Sequence, residues 1–372
     1  MRGFTDLAEA ARWHRDWLRD AALPLWWTAG ADPAGGFQEA LTVEGRPAPA
    51  ARRARVQARQ AWAYAKAGEL GWSGPWRQAA WHGLDYLMDK YRRGPGRIAA
   101  AVTAAGGPLD ETIFLYEQDF ALLAMATLHR AQPGVRDLPG EAAEIRSALD
   151  LMRHGAGGFR EAGDHPFQAN AHMHLLEAAL AWEATGAPGW TALADEVVTL
   201  ALAHFIDPER GVLREFFGPD WRPAPGDDGR LVEPGHQFEW AWLLETWGRL
   251  RQRTDACDAA RRLYGFGLTC VDAARGVAVN ALWDDLSIRD AAARLWPQTE
   301  WLKAALIMGD EAQATAAAGG LASYFDTPVR GTWRDKMLDD GGFVAEPAPA
   351  SSFYHIVCAV SELLGAAGLD LR

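Results

Sequence analysis

The sequence contains few cysteines, and none of them are paired along the chain. Its 372 residues include three cysteines, Cys257, Cys270 and Cys358, which are isolated and form no C-x-x-C spacing. Disulfide frameworks and zinc sites need clustered or even-numbered cysteines, so neither is predicted. This cysteine usage is typical of a reducing compartment, and we expect the protein to be cytoplasmic.

Extended basic clusters and long apolar runs are also missing. The formal net charge is −12, and the one short basic cluster lies within residues 52–55. Proteins that bind nucleic acid or anionic membranes concentrate positive charge, so neither partner is expected. Residues 1–20 mix charged side chains into an amphipathic pattern that lacks the apolar core of a signal peptide. No stretch approaches the length of a membrane span.

Helical spacing of apolar residues is the main pattern in the sequence. Runs of Ala, Leu, Trp, Glu and Arg recur at helical spacing, and short glycine-rich connectors separate them. The pattern predicts an all-α protein with helices over residues 5–22, 52–69, 75–91, 112–130, 139–153, 167–184, 189–205, 236–252, 255–273, 297–308, 310–324 and 351–366.

The connectors repeat. Each places a glycine after a helix end and before a short extended segment, which predicts a left-handed turn followed by a small hairpin. These glycines are Gly36, Gly96, Gly158, Gly211, Gly276 and Gly331. Six units of two helices form either an open solenoid or a closed toroid. Because helices 167–184 and 236–252 are apolar on most faces, as an inner ring requires, the sequence predicts a single (α/α)6-barrel domain over residues 1–372, with β-hairpin connectors at one mouth.

One predicted inner helix carries a titratable pair. In residues 234–244, His236, Glu239 and Trp240 fall on one helix face. His236 lies in the first turn, where the helix dipole disfavours the imidazolium, so we expect a neutral ring. We expect Glu239 to orient that ring by accepting its other N–H.

His174 and His355 also lie on predicted inner helices. The spacing of His174 and Glu177 repeats that of His236 and Glu239, whereas His172 points away from His174. His355 lies near the start of the last predicted helix, so we expect His174, His236 and His355 to meet at one mouth. Arg59 lies inside an otherwise apolar helical stretch, where an unpaired charge is costly.

Three kinds of chemistry compete for these residues. His-x-x-Glu pairs on facing helices can bind a metal, but the known bundle motif runs Glu-x-x-His and needs further carboxylates. A glycosidase needs an acid and a base carboxylate, and no such pair stands out. Two facing histidines with an arginine suit abstraction of a proton next to a carbonyl, because imidazole titrates near neutrality and a guanidinium stabilises an enediolate.

Five motifs in this order resemble the N-acylglucosamine 2-epimerase superfamily, which includes aldose–ketose isomerases and sugar 2-epimerases. They are V-Q-A-R-Q-A-W at 56–62, N-A-H-M-H-L-L-E-A at 170–178, P-G-H-Q-F-E-W-A-W-L-L at 234–244, L-W-P-Q-T-E at 295–300 and S-S-F-Y-H-I-V at 351–357. The resemblance implies an (α/α)6 barrel and chemistry through a cis-enediol, with neither metal nor cofactor.

The resemblance also implies roles for individual residues. His236 and His355 would be the acid/base pair, and Arg59 would hold the enediolate oxygen. His174 and Glu239 would assist ring opening or orient the pair. The residues implied as contacts to sugar hydroxyls are Asn170, Trp240, Trp296, Gln298 and Glu300.

The sequences F-E-W-A-W-L-L at 238–244 and W-P-Q-T-E at 296–300 are most similar to those of the mannose isomerase branch of this superfamily. This branch interconverts D-mannose and D-fructose, and we expect the same reaction here, with D-lyxose and D-xylulose as a further pair. The expected partner is a monosaccharide substrate, and the sequence leaves open whether the protein is a monomer or a homodimer. The alternatives are a sugar 2-epimerase, a mannose-6-phosphate isomerase and a sugar-binding toroid without turnover. Asp119 stands where the family usually has a small residue, which adds a carboxylate that would disfavour an anionic substrate if it faced the pocket.

Overall fold

The computed structural model describes residues 2–372. Its helices are α1 (Leu7–Trp17), α2 (Leu23–Thr28), α3 (Ala54–Glu69), α4 (Trp76–Lys90), α5 (Leu115–Ala131), α6 (Leu138–Leu149), α7 (Ala169–Glu183), α8 (Trp190–Leu200), α9 (Pro234–Arg251), α10 (Thr254–Thr269), α11 (Leu295–Met308), α12 (Glu311–Ser323) and α13 (Ser352–Ala367). The strands are β1 (Ala40–Leu41), β2 (Arg52–Arg53), β3 (Ala101–Val102), β4 (Pro108–Asp110), β5 (Leu231–Val232), β6 (Val271–Asp272), β7 (Val277–Ala278), β8 (Ala281–Trp283), β9 (Ile288–Asp290), β10 (Ala293–Arg294), β11 (Lys336–Met337) and β12 (Ala348–Pro349).

Alternate helices form a closed inner ring. Each of α3, α5, α7, α9 and α11 packs against the next in this series, and α13 packs back against α3. The outer layer follows the same order, with α4, α6, α8, α10 and α12 each packed on the inner helix that precedes it and α1 packed on α13. The structure confirms the predicted (α/α)6 barrel, because this order of contacts closes a ring that a solenoid leaves open.

The first helix runs further than the sequence predicts. A π-helical turn, Leu18–Ala22, joins α1 to α2 without a break, although Pro24 lies in the first turn of α2. Proline lacks an N–H and crowds the preceding turn of an α-helix. The wider π-turn removes that conflict, so the chain continues as a helix to Thr28.

The predicted left-handed turn is confirmed at all six marker glycines. Each marker glycine has a positive φ, between 65° at Gly96 and 105° at Gly331. Every one of these connectors leads from an outer helix to the next inner helix, so all six lie at the N-terminal ends of the inner ring. Sequence periodicity thus determines which end of the barrel carries the hairpins.

A side-chain amide fixes most of these connectors to the inner ring. Gln57, Gln118, Gln237 and Gln298 each bind both the backbone N–H and the backbone C=O of one connector residue. In the α7 unit, the Nε2 atom of His172 accepts the N–H of Phe159 instead. These buried bonds satisfy connector groups that would otherwise lack partners.

The first and last units meet at a seam of strands and tryptophans. Strands β1 and β12 pair antiparallel, with Ala40 opposite Pro349. Trp26 stacks on Trp333 with 4.5 Å between ring centroids, and its indole N–H donates to the carbonyl of Gly331.

No helix within residues 2–372 is long and apolar enough to cross a membrane.

Candidate active site

The N-terminal ends of the inner helices bring the predicted residues to one mouth. His236 and His355 lie in the first turns of α9 and α13, and both are buried. Trp296, in the first turn of α11, lies between them, with ring centroids 4.9 Å from His236 and 5.9 Å from His355. The two imidazoles therefore flank one half-buried indole.

His236 is held by two carboxylates that do not include Glu239. Its Nδ1 atom lies 2.7 Å from Glu215 and 3.2 Å from Glu233. Glu215 comes from the connector before α9, and Glu233 immediately precedes that helix. The expected contact from Glu239 is wrong, because a carboxylate one helical turn beyond His236 points deeper into the barrel.

These carboxylates also decide the charge of His236. Burial lowers the pKa of His236, but attraction by Glu215 and Glu233 outweighs it and raises that pKa to about 10. The expectation of a neutral ring is therefore wrong. A helix terminus contributes on the order of 0.3–1 kcal/mol at a surface, less than two carboxylates in direct contact with the ring. His236 is an imidazolium at neutral pH.

His355 has the opposite protonation state. Burial lowers its pKa to about 3, and the hydrogen bond with Glu300 opposes that shift while Arg59 and Lys303 add to it. The Nδ1–H of this neutral ring donates to Glu300 over 2.9 Å. Its Nε2 lone pair is thus left free to accept a proton.

His174 is also a neutral ring oriented by a carboxylate. Its Nδ1 atom lies 3.3 Å from Glu177, which also accepts the hydroxyl of Tyr354. Burial lowers the pKa of His174 to about 4. The predicted pairing of His174 with Glu177 is confirmed.

Glu239 lies beside His174 and not beside His236. One of its carboxyl oxygens is 4.0 Å from Nδ1 of His174. Burial and then repulsion by Glu300 raise the pKa of Glu239 well above its usual range. Neither of its oxygens has a hydrogen-bond partner within residues 2–372. Burial therefore favours the protonated form of Glu239, whose two oxygens keep free hydrogen-bonding capacity inside the barrel.

Arg59 is a buried cation held by aromatic rings. Its guanidinium carbon lies 4.0 Å from the ring centroid of Phe120 and 5.3 Å from that of Tyr354. One terminal nitrogen donates to the hydroxyl of Tyr116 over 2.7 Å, and the other to the carbonyl of Ser351 over 3.2 Å. Among the described residues, no carboxylate lies within ion-pair distance of Arg59. Its positive charge is therefore not neutralised by the protein.

The structure separates the residues expected to contact sugar hydroxyls. Trp296 and Asn170 are half-buried, and the side-chain oxygen of Asn170 has no partner within residues 2–372. Trp240 is fully buried against Phe205 of the outer layer and does not join them. The amide of Gln298 is used by its connector, as described above.

Glu300 is fully buried and serves His355 and not the open mouth. Its second oxygen lies 2.6 Å from the ammonium of Lys303. The structure therefore places Glu300 behind the histidine, where it orients the ring.

Sequence reasoning missed Glu215, Glu233 and Lys303. Glu215 had a detectable signal, because three connectors end on a glutamate soon after the marker glycine: Glu39, Glu161 and Glu215. Lys303 had the same signal as Arg59, a charge inside an apolar helix. Glu233 had none beyond its position before Pro234.

Three groups of histidine and glutamate could be considered for a metal. Their ligand atoms lie within 4.8 Å of one another in the sets His174/Glu177/Glu239, Glu215/Glu233/His236 and Glu239/Glu300/His355. In each of two sets, one carboxylate already binds another group, since Glu177 accepts the Tyr354 hydroxyl and Glu300 is ion-paired with Lys303. In the remaining set, a cation would have to displace the proton of His236, which Glu215 and Glu233 stabilise. This donor chemistry fits a divalent cation poorly.

A cleft of about 350 Å³ opens beside Trp296. Its lining carries both charges: the cations are Arg289, Arg294 and Lys336, and the carboxylates are Glu233, Asp290, Asp335 and Glu346. Asp290 accepts from Asn280 over 2.9 Å, and Asp335 accepts from Ser352 over 2.8 Å. The cleft therefore offers hydrogen-bond donors and acceptors with little net charge.

Comparison with known proteins agrees with this fold. A mannose-6-phosphate isomerase of Rhizobium meliloti is 47% identical over 368 residues, which covers 93% of this chain and 95% of that protein. Solved structures with the same fold include a cellobiose 2-epimerase from Bacillus thermoamylovorans (TM-score 0.85, 17% identity, 95% and 98% of the two chains) and a D-mannose isomerase (TM-score 0.84, 19% identity, 95% and 97%). The family model for N-acylglucosamine 2-epimerase matches residues 35–359. The chain therefore belongs to the N-acylglucosamine 2-epimerase family, whose enzymes are sugar epimerases and isomerases.

Proposed function

We propose that the protein is a metal-independent aldose–ketose isomerase that interconverts D-mannose and D-fructose, and also D-lyxose and D-xylulose, through a cis-enediol. The observation that carries the proposal is that two histidines flank Trp296 and that a carboxylate holds Nδ1 of each, Glu300 at His355 and Glu215 at His236. The pKa values, lowered to about 3 at His355 and raised to about 10 at His236, suit a base and an acid. The names of the Rhizobium relative and of the D-mannose isomerase both concern mannose, which supports this choice of sugar.

In this proposal, the two histidines exchange protons with the open-chain aldose. Nε2 of His355 removes the proton from C2, the freed electron pair forms the C1–C2 double bond, and O1 takes a proton from Nε2 of His236. His355 then returns its proton to C1, while the O2 proton passes to His236 and O2 becomes the ketone oxygen. Both histidines return to their starting states, so the reaction needs no other proton source.

Arg59 would stabilise the charge that develops on the enediol oxygens. A cation surrounded by aromatic rings acts in a region of low dielectric, where its interaction with an oxyanion is stronger than in water. Since its partners are a phenol and a backbone carbonyl, the guanidinium keeps its full charge for the intermediate.

His174 would assist opening of the sugar ring. Its neutral ring donates Nδ1–H to Glu177, so its Nε2 atom can accept the proton of the anomeric hydroxyl. Glu239 has a carboxyl oxygen 4.0 Å from Nδ1 of His174, and because burial raises its pKa it would supply a hydrogen bond or a proton to this step.

The cleft beside Trp296 supports a free sugar as the substrate. Carboxylates and cations in similar numbers suit hydroxyl groups, which both donate and accept hydrogen bonds. Mannose 6-phosphate is the second candidate. It is supported by the relative's name and by Arg289 and Lys336, neither of which has a carboxylate within ion-pair distance in residues 2–372.

Proton NMR in D2O tests both candidates. EDTA-treated protein is incubated with D-mannose or with mannose 6-phosphate at equal concentration. Fructose formed faster from the free sugar supports the proposal, and faster turnover of the phosphate selects the second candidate. Glucose as the main product indicates a 2-epimerase, and loss of turnover with EDTA that is restored by added metal contradicts metal independence. No product from either sugar, with binding retained, indicates a sugar-binding toroid.

A further inference from the structure

Lys303 is a fully buried lysine below the mouth of the barrel. It lies on α11 and has no exposed surface. Its ammonium contacts Glu300 at 2.6 Å, the sulfur of Cys358 at 3.7 Å and the ring of Trp242, whose centroid is 4.0 Å away. Burying an ammonium is costly unless it is paired, so a role in packing alone would be served better by an apolar residue.

Glu300 lies between Lys303 and His355. One carboxylate oxygen forms an ion pair with the ammonium of Lys303 at 2.6 Å, and the other accepts Nδ1–H of His355 over 2.9 Å. Lys303 and Glu300 are one helical turn apart on α11, whereas His355 comes from α13. The ammonium and the imidazole thus hold opposite oxygens of one fully buried carboxylate.

We propose that Lys303 is a positioning residue for His355. Its ammonium keeps Glu300 ionised and fixed in place, so that Glu300 holds Nδ1–H of His355 and leaves Nε2 as the lone pair that accepts the substrate proton. Lys303 does not touch the sugar in this arrangement. The inference rests on the proposed function only for the identity of the reaction, because the effect on His355 can be measured without turnover.

The charges around this chain of contacts explain why the ammonium is needed. Glu239 and Glu177 approach from α9 and α7, and Arg59 approaches His355 from α3. Burial alone would raise the pKa of Glu300, but Lys303 and His355 outweigh it and lower that pKa to about 2. Without Lys303, the buried carboxyl groups have no ammonium beside them. A proton taken up by Glu300 or by His355 then replaces the missing positive charge.

Protonation of Glu300 or of His355 would prevent His355 from acting as the base. A protonated Glu300 no longer orients Nδ1–H, and a protonated His355 has no lone pair. Both events are favoured at low pH, so the loss of activity in a Lys303→Met variant should grow as the pH falls. A lysine that only filled space would lower the rate by the same factor at every pH.

The experiment compares kcat/KM of the wild type and Lys303→Met from about pH 5 to about pH 9. Because a general base contributes about 10²–10⁴ in rate, we expect a loss of about 10²-fold at the acidic end and a smaller loss at the alkaline end. Lys303→Arg should retain the wild-type pH profile because it keeps the charge. Cys358→Ala, which removes a different contact of the ammonium, should also retain it.

Titration of 15N-labelled histidines by NMR gives a second readout. The signal of His355, assigned by its absence in His355→Asn, should remain neutral in the wild type over the accessible pH range. In Lys303→Met, it should either titrate within that range or lose the shift pattern of a fixed Nδ1–H tautomer. This readout applies even if none of the tested sugars is converted, so failure of the proposed reaction is distinguishable from failure of this inference.

Two results would overturn the role of Lys303. One is a Lys303→Met variant with the wild-type pH profile and an unchanged His355 signal. The other is a Lys303→Arg variant that shows the same altered profile as Lys303→Met.

A double variant keeps the inference testable if Lys303→Met does not fold. Glu300→Gln/Lys303→Met replaces the ion pair by neutral groups, and the amide oxygen introduced by Glu300→Gln can still accept Nδ1–H of His355. This double variant should show less dependence of activity on pH than Glu300→Gln alone. An equal dependence in the two variants would contradict the proposal.

Discussion

The carboxylate of Glu215 lies 2.7 Å from Nδ1 of His236, although the two residues are 21 positions apart and belong to a connector and a helix. This contact makes His236 a cation. We expect Glu215→Gln to lower the pKa of His236 from about 10, since burial then acts with less opposition. The alkaline limb of kcat/KM should therefore move to lower pH, as measured by initial rates across a pH series.

Glu233→Gln is the matched control for this prediction. Its carboxylate also contacts Nδ1 of His236, but at 3.2 Å and with 30% of the side chain exposed. Solvent screens such a charge more strongly, so its removal should move the alkaline limb less. Identical limbs in the wild type and Glu215→Gln would show that His236 does not need to be protonated.

The wild-type enzyme should have a broad pH plateau. The base His355 has a pKa of about 3 and the acid His236 a pKa of about 10, so both hold their required states between these values. We expect kcat/KM to vary little from about pH 5 to about pH 9. A fall centred on the ordinary histidine pKa of about 6.5 would contradict the assigned protonation states.

Replacement of Arg59 should affect catalysis more than folding. Arg59→Met removes the charge proposed to stabilise the enediolate, and we expect kcat to fall about 10²–10³-fold with a smaller change in KM. Arg55 on the same helix is a useful contrast, because it forms an ion pair with the fully buried Glu117 at 2.5 Å. Arg55→Met should lower Tm more and kcat less. Steady-state kinetics and thermal melts of both variants separate the two effects, and equal losses of kcat would argue against a special role for Arg59.

Gln298 should behave as a connector residue. Its amide binds the N–H and C=O of Ala278, and Gln237 binds Leu213 in the same way. Truncation leaves buried backbone groups without partners, so we expect Gln298→Ala and Gln237→Ala each to lower the free energy of unfolding by about 1–3 kcal/mol. Urea unfolding measures this loss. A much larger rise in KM for Gln298→Ala than for Gln237→Ala would restore a sugar-binding role to Gln298.

Asp119→Asn should stabilise the protein, and more so at higher pH. Burial and repulsion by Glu161 raise the pKa of Asp119 well above its usual range, and neither oxygen has a partner within residues 2–372. Above the unfolded-state pKa of about 3.9, folding must take up a proton at Asp119, so its contribution destabilises the folded state increasingly as pH rises toward the folded-state pKa. Asparagine does not titrate. The gain in Tm should therefore be larger at about pH 8 than at about pH 5, and a constant gain would contradict this pKa.

The arrangement of helices could be predicted because its causes are local. The repeated connector glycines need a left-handed conformation, and the helical periodicity of apolar residues is independent of what the helices contact. These two signals indicated the number of units, and they placed every connector at one end of the inner ring. His236, His355 and Arg59 could be singled out for the same reason, since each stands in a chemically unusual place along its own helix.

The charge states and partners of these residues could not be predicted in the same way. The sequence alone made His236 neutral by its position in a helix, whereas the folded chain surrounds it with Glu215 and Glu233 and makes it a cation. From its motif, Glu300 was expected to bind the sugar, yet the closed ring of inner helices places it between Lys303 and His355. Local sequence determined the helices and the kinds of reactive group at the mouth. Tertiary structure decided protonation and orientation, because both depend on charges brought within about 3–4 Å by helices distant in the chain.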